Sequence, residues 1–303
     1  MSVTDPAITQ GAAGAIEEAA KSSMNWRDIL ASPVFKITLV VLAALCFAFW
    51  PLMIQLSKVW LDMDSYYAHG MLVPLCSAYL LWDKWDKIKA TPVKPFVWAV
   101  VPLLGVLYIA HYAALSWMFL LLSLLFVLAI SLSVLFIAGW GWFKATLPAT
   151  GFMLLGLPVF DRLIDSSTMP LQIKSTGIAY RMLQMIGYDT MRTQPTILYV
   201  DDYALQVAAA CSGLKTTIAV TAAVVFFMLI SRLRWWANLI LAVMAIPLSV
   251  AINGTRIALI GVVGAEEGME AAATFHDYSG YIALVLCFVI LGLVTKRLEK
   301  WSK

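Results

Sequence analysis

Long apolar stretches, separated by short charged connections, run along most of the chain. A helix needs about 20 apolar residues to cross a bilayer. Helices are expected there because lipid cannot form hydrogen bonds with unpaired backbone N–H and C=O groups. The pattern therefore predicts an all-α polytopic membrane protein with about eight transmembrane helices. The predicted spans are residues 34–56, 70–82, 96–114, 117–138, 145–161, 207–230, 235–257 and 278–295.

One connection, residues 162–206, is much longer than the others. Its first part, residues 168–187, carries apolar residues near one helical face, which predicts an amphipathic helix lying on the outer membrane surface. The apolar positions of that face are Leu171, Ile178, Met182 and Met185. The second part reads TILYVDDYALQV, and its alternation around Asp201 and Asp202 predicts a small β-hairpin.

The two ends of the chain are expected to lie outside the membrane domain. Residues 1–33 do not contain the apolar core of a signal peptide, and we interpret them as a flexible cytoplasmic tail. Residues 34–295 form the predicted transmembrane domain, and residues 296–303 form a basic cytoplasmic tail. The first apolar stretch is then expected to act as an uncleaved anchor.

Composition agrees with the membrane class. Of the 303 residues, 62% are hydrophobic and 13% are charged. A soluble protein of this length could not keep so much apolar surface away from water. The formal net charge of +3 is too small to indicate a nucleic-acid partner, so membrane lipids are the expected surroundings.

Lysine and arginine residues are concentrated on one side of the predicted spans, for example from Lys84 to Lys94 and in the pair Arg232 and Arg234. Because cytoplasmic connections carry an excess of positive charge, this side and both termini are expected in the cytoplasm. Residues 162–206 then face the outside. We interpret the chain as a multi-pass protein of the bacterial inner membrane.

The four cysteines form no C-x-x-C pair, which indicates neither a disulfide framework nor a thiolate metal site. Cys46, Cys76 and Cys287 lie within apolar stretches, where a thiol behaves as a small hydrophobe. Cys211 differs because it lies at the edge of the sixth stretch, in the sequence AACSGLK. No metal and no cofactor are expected.

Three chemically useful residues converge at one depth on the outer side. Cys211 opens the sixth span, Arg256 lies towards the outer end of the seventh, and His276 lies just before the eighth. A helix N-terminus and a neighbouring imidazolium favour the nucleophilic thiolate, and a guanidinium stabilises an oxyanion or holds a carboxylate. Ionisable groups near membrane spans are costly and mark functional sites. The pattern predicts a Cys–Arg–His site.

Each of these residues, taken alone, also has an ordinary structural explanation. A cysteine at a helix start is usually a packing residue, and an arginine near a helix end usually reaches the lipid head groups. A histidine in an outer loop is unremarkable. The joint occurrence at one depth is what favours a functional site.

Two further residues lie one helical turn from this predicted site. Lys215 follows Cys211 by four residues, and it is expected to favour the thiolate, bind substrate or head groups, or form a structural pair. Asn253 precedes Arg256 by three residues, and it is expected to orient Arg256 or His276, or to satisfy backbone groups near a helix end.

Three more residues complete the candidate set. His69 lies outside, before the second span, and is a second candidate base or substrate contact. Ser212 would need a base of its own to act as a nucleophile, and Gly213 loosens the start of the helix. The sequence contains no H-E-x-x-H, G-x-S-x-G or P-loop motif and no paired intramembrane aspartates. This excludes zinc proteases, hydrolases with a serine nucleophile elbow, P-loop nucleotide hydrolases and aspartyl proteases.

At this point the ordered motifs resemble the exosortase/archaeosortase family. They are AACSGLK (209–215), NGTRI (253–257) and FHDYSGY (275–281), together with the earlier YAHGMLVPLCSAYLLW (67–82). The resemblance extends from about residue 34 to residue 295. It implies a polytopic cysteine transpeptidase with Cys211 as nucleophile, Arg256 as oxyanion or substrate clamp, and His276 as acid and base.

The resemblance also implies the partners. Substrates of the family are exported proteins with a C-terminal sorting signal, commonly a Pro-Glu-Pro-type motif, followed by one transmembrane helix and a basic tail. The signal's helix is expected to dock laterally between membrane helices, and the protein is passed to an acceptor that the sequence does not identify. Because the chain ends soon after its last span, a stand-alone subtype without a fused C-terminal domain is expected.

Two alternatives stay open on the sequence alone. The same site acting with water as acceptor would be a hydrolytic cysteine protease. A non-enzymatic transporter or assembly component for exported polysaccharide would use Lys215 and Arg256 to bind anionic groups. Against the transporter, the hydrophobic pattern does not repeat in two halves, and Cys211 would have no role.

Overall fold

The structure is a computed structural model that describes residues 32–62, 65–208, 213–231 and 233–301. The predicted cytoplasmic tail, residues 1–33, therefore lies almost entirely outside the described residues. The chain divides into two units between Phe47 and Ala48. In the first unit the described residues form helix α1 (Pro33–Ala48), whose last residue begins the second unit.

The second unit is mainly helical and contains every feature discussed below. Its helices, in chain order, are α2 (Trp50–Leu61), α3 (Leu72–Asp83), α4 (Trp85–Lys89), α5 (Val100–Leu115), α6 (Phe119–Ala138), α7 (Trp140–Phe152), α8 (Asp161–Met185), α9 (Leu214–Ile230), α10 (Trp235–Glu267) and α11 (Met269–Trp301). Three 3₁₀ turns, Ala68–Met71, Val97–Ala99 and Met153–Gly156, precede α3, precede α5 and follow α7.

The predicted fold class, an all-α polytopic membrane protein, is confirmed. In the described part of the chain four helices are long and apolar enough to cross a membrane, and up to six spans result if two broken helix pairs each count as one. The predicted spans 70–82 and 207–230 correspond to α3 and α9, which have 12 and 17 residues. The number that meets the length criterion is thus smaller than the predicted eight.

The last two helices extend well past their predicted spans. The prediction ended one span at residue 257 and began the next at residue 278, whereas α10 runs to Glu267 and α11 begins at Met269. The turn between them is the single residue Gly268, with φ of +87°. Alanine-rich polar sequence around this turn continues the helices beyond the apolar stretch, because helix propensity does not require apolar residues.

The predicted hairpin is present as part of a three-stranded antiparallel sheet. Its strands are β1 (Thr190–Gln194), β2 (Ile197–Val200) and β3 (Tyr203–Gln206), in the order β1–β2–β3. Val200 pairs with Tyr203 across the turn at Asp201 and Asp202. Asp201 adopts φ of +51°, a conformation that aspartate tolerates better than most residues.

The sheet packs on α8 and on the extension of α10, and these parts share one apolar core. Its fully buried members include Leu183, Leu198, Val200 and Ile257. Close approach depends on glycine: a Cβ on Gly264 would collide with the Tyr203 ring. The segment predicted as a separate outer region is therefore built onto α10.

The predicted apolar face of α8 is only part of the buried face: Leu171, Ile178 and Met182 are partly buried, but Met185 is not. Met185 is 77% exposed, whereas the buried residues on this helix are Ile164, Gln172, Ser175, Thr176, Ala179 and Leu183. The small side chains let α8 lie against α10, where a Cβ on Gly254 would come within 2.5 Å of Ile178. Helix-to-helix contact, and not an apolar stripe, selects this face.

Candidate active site

The turn at Gly268 sets Arg256 opposite Ser279. In an antiparallel helix pair, residues equally far from the connecting turn lie at the same level, because each residue rises 1.5 Å along its axis. Arg256 precedes Gly268 by twelve residues and Ser279 follows it by eleven. The Arg256 Nε–H donates a hydrogen bond of 2.8 Å to Ser279 Oγ.

A second hydrogen bond joins Arg256 to the residue predicted as its partner. The Nη2–H group of Arg256 donates to the backbone oxygen of His276 over 2.9 Å. The Ser279 hydroxyl donates to the same oxygen over 3.1 Å. Arg256, His276 and Ser279 therefore form one cluster between α10 and α11, with the guanidinium fixed by two separate hydrogen bonds.

The His276 ring is partly exposed and lies beside the Asp277 carboxylate. Its side chain is 31% exposed, and Nδ1 lies 3.4 Å from Oδ1 of Asp277, whose side chain is 75% exposed. Arg256 thus contacts His276 through the backbone oxygen of that residue.

Gly213 packs directly against Asn253. Gly213 has φ of +80°, and a Cβ placed on it would lie 2.6 Å from Cγ of Asn253. Asn253 is fully buried, one turn before Arg256 on α10. The start of α9 is therefore in contact with the same stretch of α10 that carries Arg256.

Cys211 and Ser212 lie outside the described residues, so their predicted roles remain predictions. The chain on both sides of them is described. Before them, the Gln172 side chain donates a hydrogen bond to the Val207 carbonyl. After them, Gly213 meets Asn253. Sequence reasoning did not identify Gln172, although a glutamine amid the small residues of a buried helix face is a signal that could have done so.

His69 belongs to a segment that is firmly anchored to the chain ahead of α8. Its Nε2 lies 3.2 Å from the Leu155 carbonyl oxygen, so this nitrogen carries the hydrogen. Two residues away, the Tyr67 hydroxyl donates to Asp161 Oδ1 over 3.1 Å and accepts a hydrogen bond of 3.0 Å from the Phe160 N–H. The ring is held in a single orientation.

Lys215, on the first turn of α9, lies close enough to His69 to affect it. Burial lowers the pKa of the His69 ring, and the positive charge of Lys215 acts in the same direction. A neutral ring that donates through Nε2 has its lone pair on Nδ1. His69 and Lys215 thus belong to one neighbourhood, which also contains Leu214 packed against Tyr67.

A cavity extends from His69 between α3, α9 and α11. Its lining is apolar apart from His69 and includes Leu72, Ala219, Leu284 and Phe288. Ala219 is one turn beyond Lys215, and Leu284 is one turn beyond Gly280, where an added Cβ would lie 3.9 Å from Nη2 of Arg256. The cavity therefore borders α9, which carries Lys215 near His69, and α11, which carries His276.

The cluster around Arg256 supplies donors for an anionic oxygen and an imidazole for proton transfer. Within the described residues, groups of three or more His, Cys, Asp or Glu side chains that could hold a metal ion do not occur. Ser279 is, after Gln172, a second residue that the sequence analysis missed. Its signal was its position three residues after His276, on the same face of a helix.

Comparison with known proteins gives one family. The model of the family described as transmembrane exosortase (Exosortase_EpsH) matches residues 60–293, which is more than three quarters of the chain. Comparisons with the curated proteins and with the solved structures give no match. The matched range contains all the residues of the predicted site.

Proposed function

The chain belongs to the transmembrane exosortase family, and from this premise we propose that it is a membrane cysteine transpeptidase with Cys211 as its nucleophile. Its substrates are exported proteins, which it cuts at a C-terminal sorting signal. The observation that carries the proposal is the cluster of Arg256, Ser279 and His276 beside the contact of Asn253 with Gly213. Cys211 precedes Gly213 by two residues, a length of chain that reaches at most about 7 Å.

The first half of the reaction forms a thioester. His276 takes the proton of the Cys211 thiol, and the thiolate adds to the scissile carbonyl carbon, forming a C–S bond. The negative charge moves to the carbonyl oxygen, where Arg256 stabilises it. The C–N bond then breaks, and His276 returns its proton to the leaving amine of the signal fragment.

The second half transfers the protein. His276 removes a proton from the incoming nucleophile, which adds to the thioester carbonyl while Arg256 again stabilises the oxyanion. Collapse of this intermediate breaks the C–S bond and releases the Cys211 thiolate, which regains its proton. With water as the nucleophile the same steps give hydrolysis.

The hydrogen bonds of Arg256 support its role. A guanidinium has five N–H groups in a rigid plane, and the bonds to Ser279 and to the His276 carbonyl fix that plane between α10 and α11. A donor that is already oriented needs no reorganisation when charge develops. Lysine has no such fork, so the arginine at this position fits an oxyanion role better.

The placement of the site follows from the charge pattern. We infer that the sheet and the Arg256 cluster face the outside of a bacterial inner membrane, where an exported signal is presented, and that both termini are cytoplasmic. The partners are the sorting-signal protein, membrane lipids and an acceptor nucleophile. Lys215 and His69 stand beside the site as substrate contacts.

The test uses a reporter that ends in a Pro-Glu-Pro-type signal, a transmembrane helix and a basic tail. The reporter is co-expressed with the wild-type chain or with Cys211→Ala, and its intact mass is measured. We expect loss of the tail with wild type only, with an added acceptor mass for transfer or a free carboxyl terminus for hydrolysis. Equal processing by Cys211→Ala would disprove the mechanism.

A further inference from the structure

The contact of Gly213 with Asn253 excludes any side chain at position 213. An added Cβ would lie 2.6 Å from Cγ, 2.7 Å from Nδ2 and 2.8 Å from Cβ of Asn253. The backbone at Gly213 is left-handed, with φ of +80°, which L-residues with a Cβ adopt only with strain. Space and conformation therefore independently require glycine here.

A second contact ties the same turn of α9 to α10. The Gly213 carbonyl accepts hydrogen bonds from the Thr217 N–H, at 2.8 Å, and from the Thr217 hydroxyl, at 2.9 Å. The Thr217 hydroxyl also lies 2.9 Å from the Ser249 hydroxyl. Ser249 is fully buried, four residues before Asn253 on α10. The first turn of α9 is thus attached to α10 at two successive turns.

These contacts lie in register with the Arg256 cluster. Ser249, Asn253 and Arg256 follow one another at spacings of four and three residues, which places them along one side of α10. Ser249 and Asn253 contact the start of α9. Arg256 contacts α11 through His276 and Ser279. One side of α10 therefore contacts both the start of α9 and α11, the helix that carries His276.

We propose that Asn253 is a positioning residue that fixes the start of α9 through its contact with Gly213, and that the reactivity of the Cys211 thiol, two residues earlier in the chain, depends on this contact. The proposal rests on the proposed function for the role of the thiol, but the contact itself does not. Asn253 acts through its contact with Gly213. If Asn253 were only a packing residue, its loss would lower stability and leave thiol chemistry unchanged.

The experiment measures the alkylation rate of Cys211 by iodoacetamide against pH, in the full chain in detergent. Peptide-resolved mass spectrometry separates Cys211 from the other three cysteines. We expect Asn253→Ala to raise the pH at which the alkylation rate is half-maximal by about one unit. This corresponds to an alkylation rate about tenfold lower at neutral pH. The reason is that a displaced thiol moves away from the cationic groups and the helix N-terminus that favour its thiolate.

Asn238→Ala is the matched control. Asn238 lies on the same helix, fifteen residues before Asn253, and its Oδ1 is buried without a hydrogen bond to the described residues. The substitution removes the same atoms from α10 at a place remote from Gly213. Its alkylation profile is expected to match that of the wild type.

Gly213→Ala approaches the contact from the other side and decides the question if Asn253→Ala does not fold. It is expected to shift the profile in the same direction, because the new methyl group displaces Asn253 or the turn. The double variant is expected to shift less than the sum of the two, since the collision is then absent. Asn253→Ser, a milder change, should give a smaller shift.

An Asn253→Ala or Gly213→Ala profile that coincides with the wild type overturns the proposal, whatever happens to the melting temperature. Failure of the proposed function has a different signature. In that event the wild type would not process the sorting-signal reporter, while the alkylation comparison would still show whether Asn253 controls the thiol.

Discussion

At the scale of single residues, the candidate site is built from side chains whose orientation is fixed by backbone partners. Arg256 donates to the His276 carbonyl, and His69 donates to the Leu155 carbonyl. Backbone oxygens move little, so such hydrogen bonds hold a functional side chain in place and use only one of its N–H groups. The sequence located Arg256 and His276 but not Ser279, because the position of Ser279 three residues after His276 does not by itself reveal the hydrogen bond that it accepts from Arg256 on another helix.

Replacing Arg256 should remove the oxyanion donor. We expect Arg256→Gln to lower the reporter processing rate by about 100- to 1,000-fold, the usual cost of losing such a donor. Arg256→Lys should restore little of it, because lysine lacks the planar fork. Ser279→Ala, which removes one hydrogen bond and leaves the guanidinium, should cost less than tenfold. Equal losses for Ser279→Ala and Arg256→Gln would contradict the assignment.

Replacing His69 tests the anchoring of its segment. His69→Phe keeps an aromatic ring but removes the hydrogen bond to Leu155, which should lower the free energy of unfolding by about 1–3 kcal/mol. His111→Phe is the control, since His111 is exposed on α5. Thermal unfolding in detergent should show a lower midpoint for the first variant only. An unchanged midpoint for His69→Phe would mean that this bond does not stabilise the fold.

At the scale of elements, glycine decides how closely the parts approach. The sheet can lie on α10 only because Gly264 leaves room for Tyr203, and α8 lies against α10 at Gly254. The hydrophobic pattern predicted the helices and the hairpin individually. It predicted the buried face of α8 only in part, because small and polar residues that pack between helices do not contribute to an apolar stripe.

Gly264→Ala should therefore weaken the attachment of the sheet. The added methyl group overlaps the Tyr203 ring, and overpacking of this kind costs about 1–3 kcal/mol. Gly105→Ala is the matched control, because Gly105 is also helical and nothing lies within 4 Å of its added Cβ. There the substitution should stabilise α5 by about 0.5–1 kcal/mol. Unfolding midpoints of both variants check the prediction, and equal shifts would contradict it.

At the scale of the whole molecule, the apolar helices make the chain a multi-pass membrane protein, while the charge pattern alone supports its orientation. The two predicted sides differ in charge: residues 162–206, expected outside, include Asp201 and Asp202, and the connection expected in the cytoplasm carries the lysines around α4. Length and hydropathy do not distinguish a molecule from its inverted form, so orientation is a prediction of the positive-inside rule.

An impermeant maleimide tests the orientation in intact spheroplasts. Asp202→Cys should be labelled from outside, since Asp202 is exposed in the turn between β2 and β3. Lys87→Cys, exposed on α4, should be labelled only after the membrane is permeabilised. The parent chain provides the background from its own cysteines. Labelling of Lys87→Cys in intact spheroplasts, with none at Asp202→Cys, would reverse the topology.

The sequence by itself determined the class of the protein, the positions of most helices, the turn at Asp201 and the identity of the candidate residues. These follow from local information: apolar runs, the period of the pattern and the residue types that suit one chemistry. The ordered motifs around Cys211, Arg256 and His276 were readable in the same way, because each is a short stretch of chain.

Only the tertiary structure decided what those residues touch. The pairing of Arg256 with Ser279 depends on how two helices lie against each other. The contact of Gly213 with Asn253 joins residues forty positions apart. Such contacts are set by shape and by hydrogen bonds between distant segments, and no local pattern in the sequence encodes them.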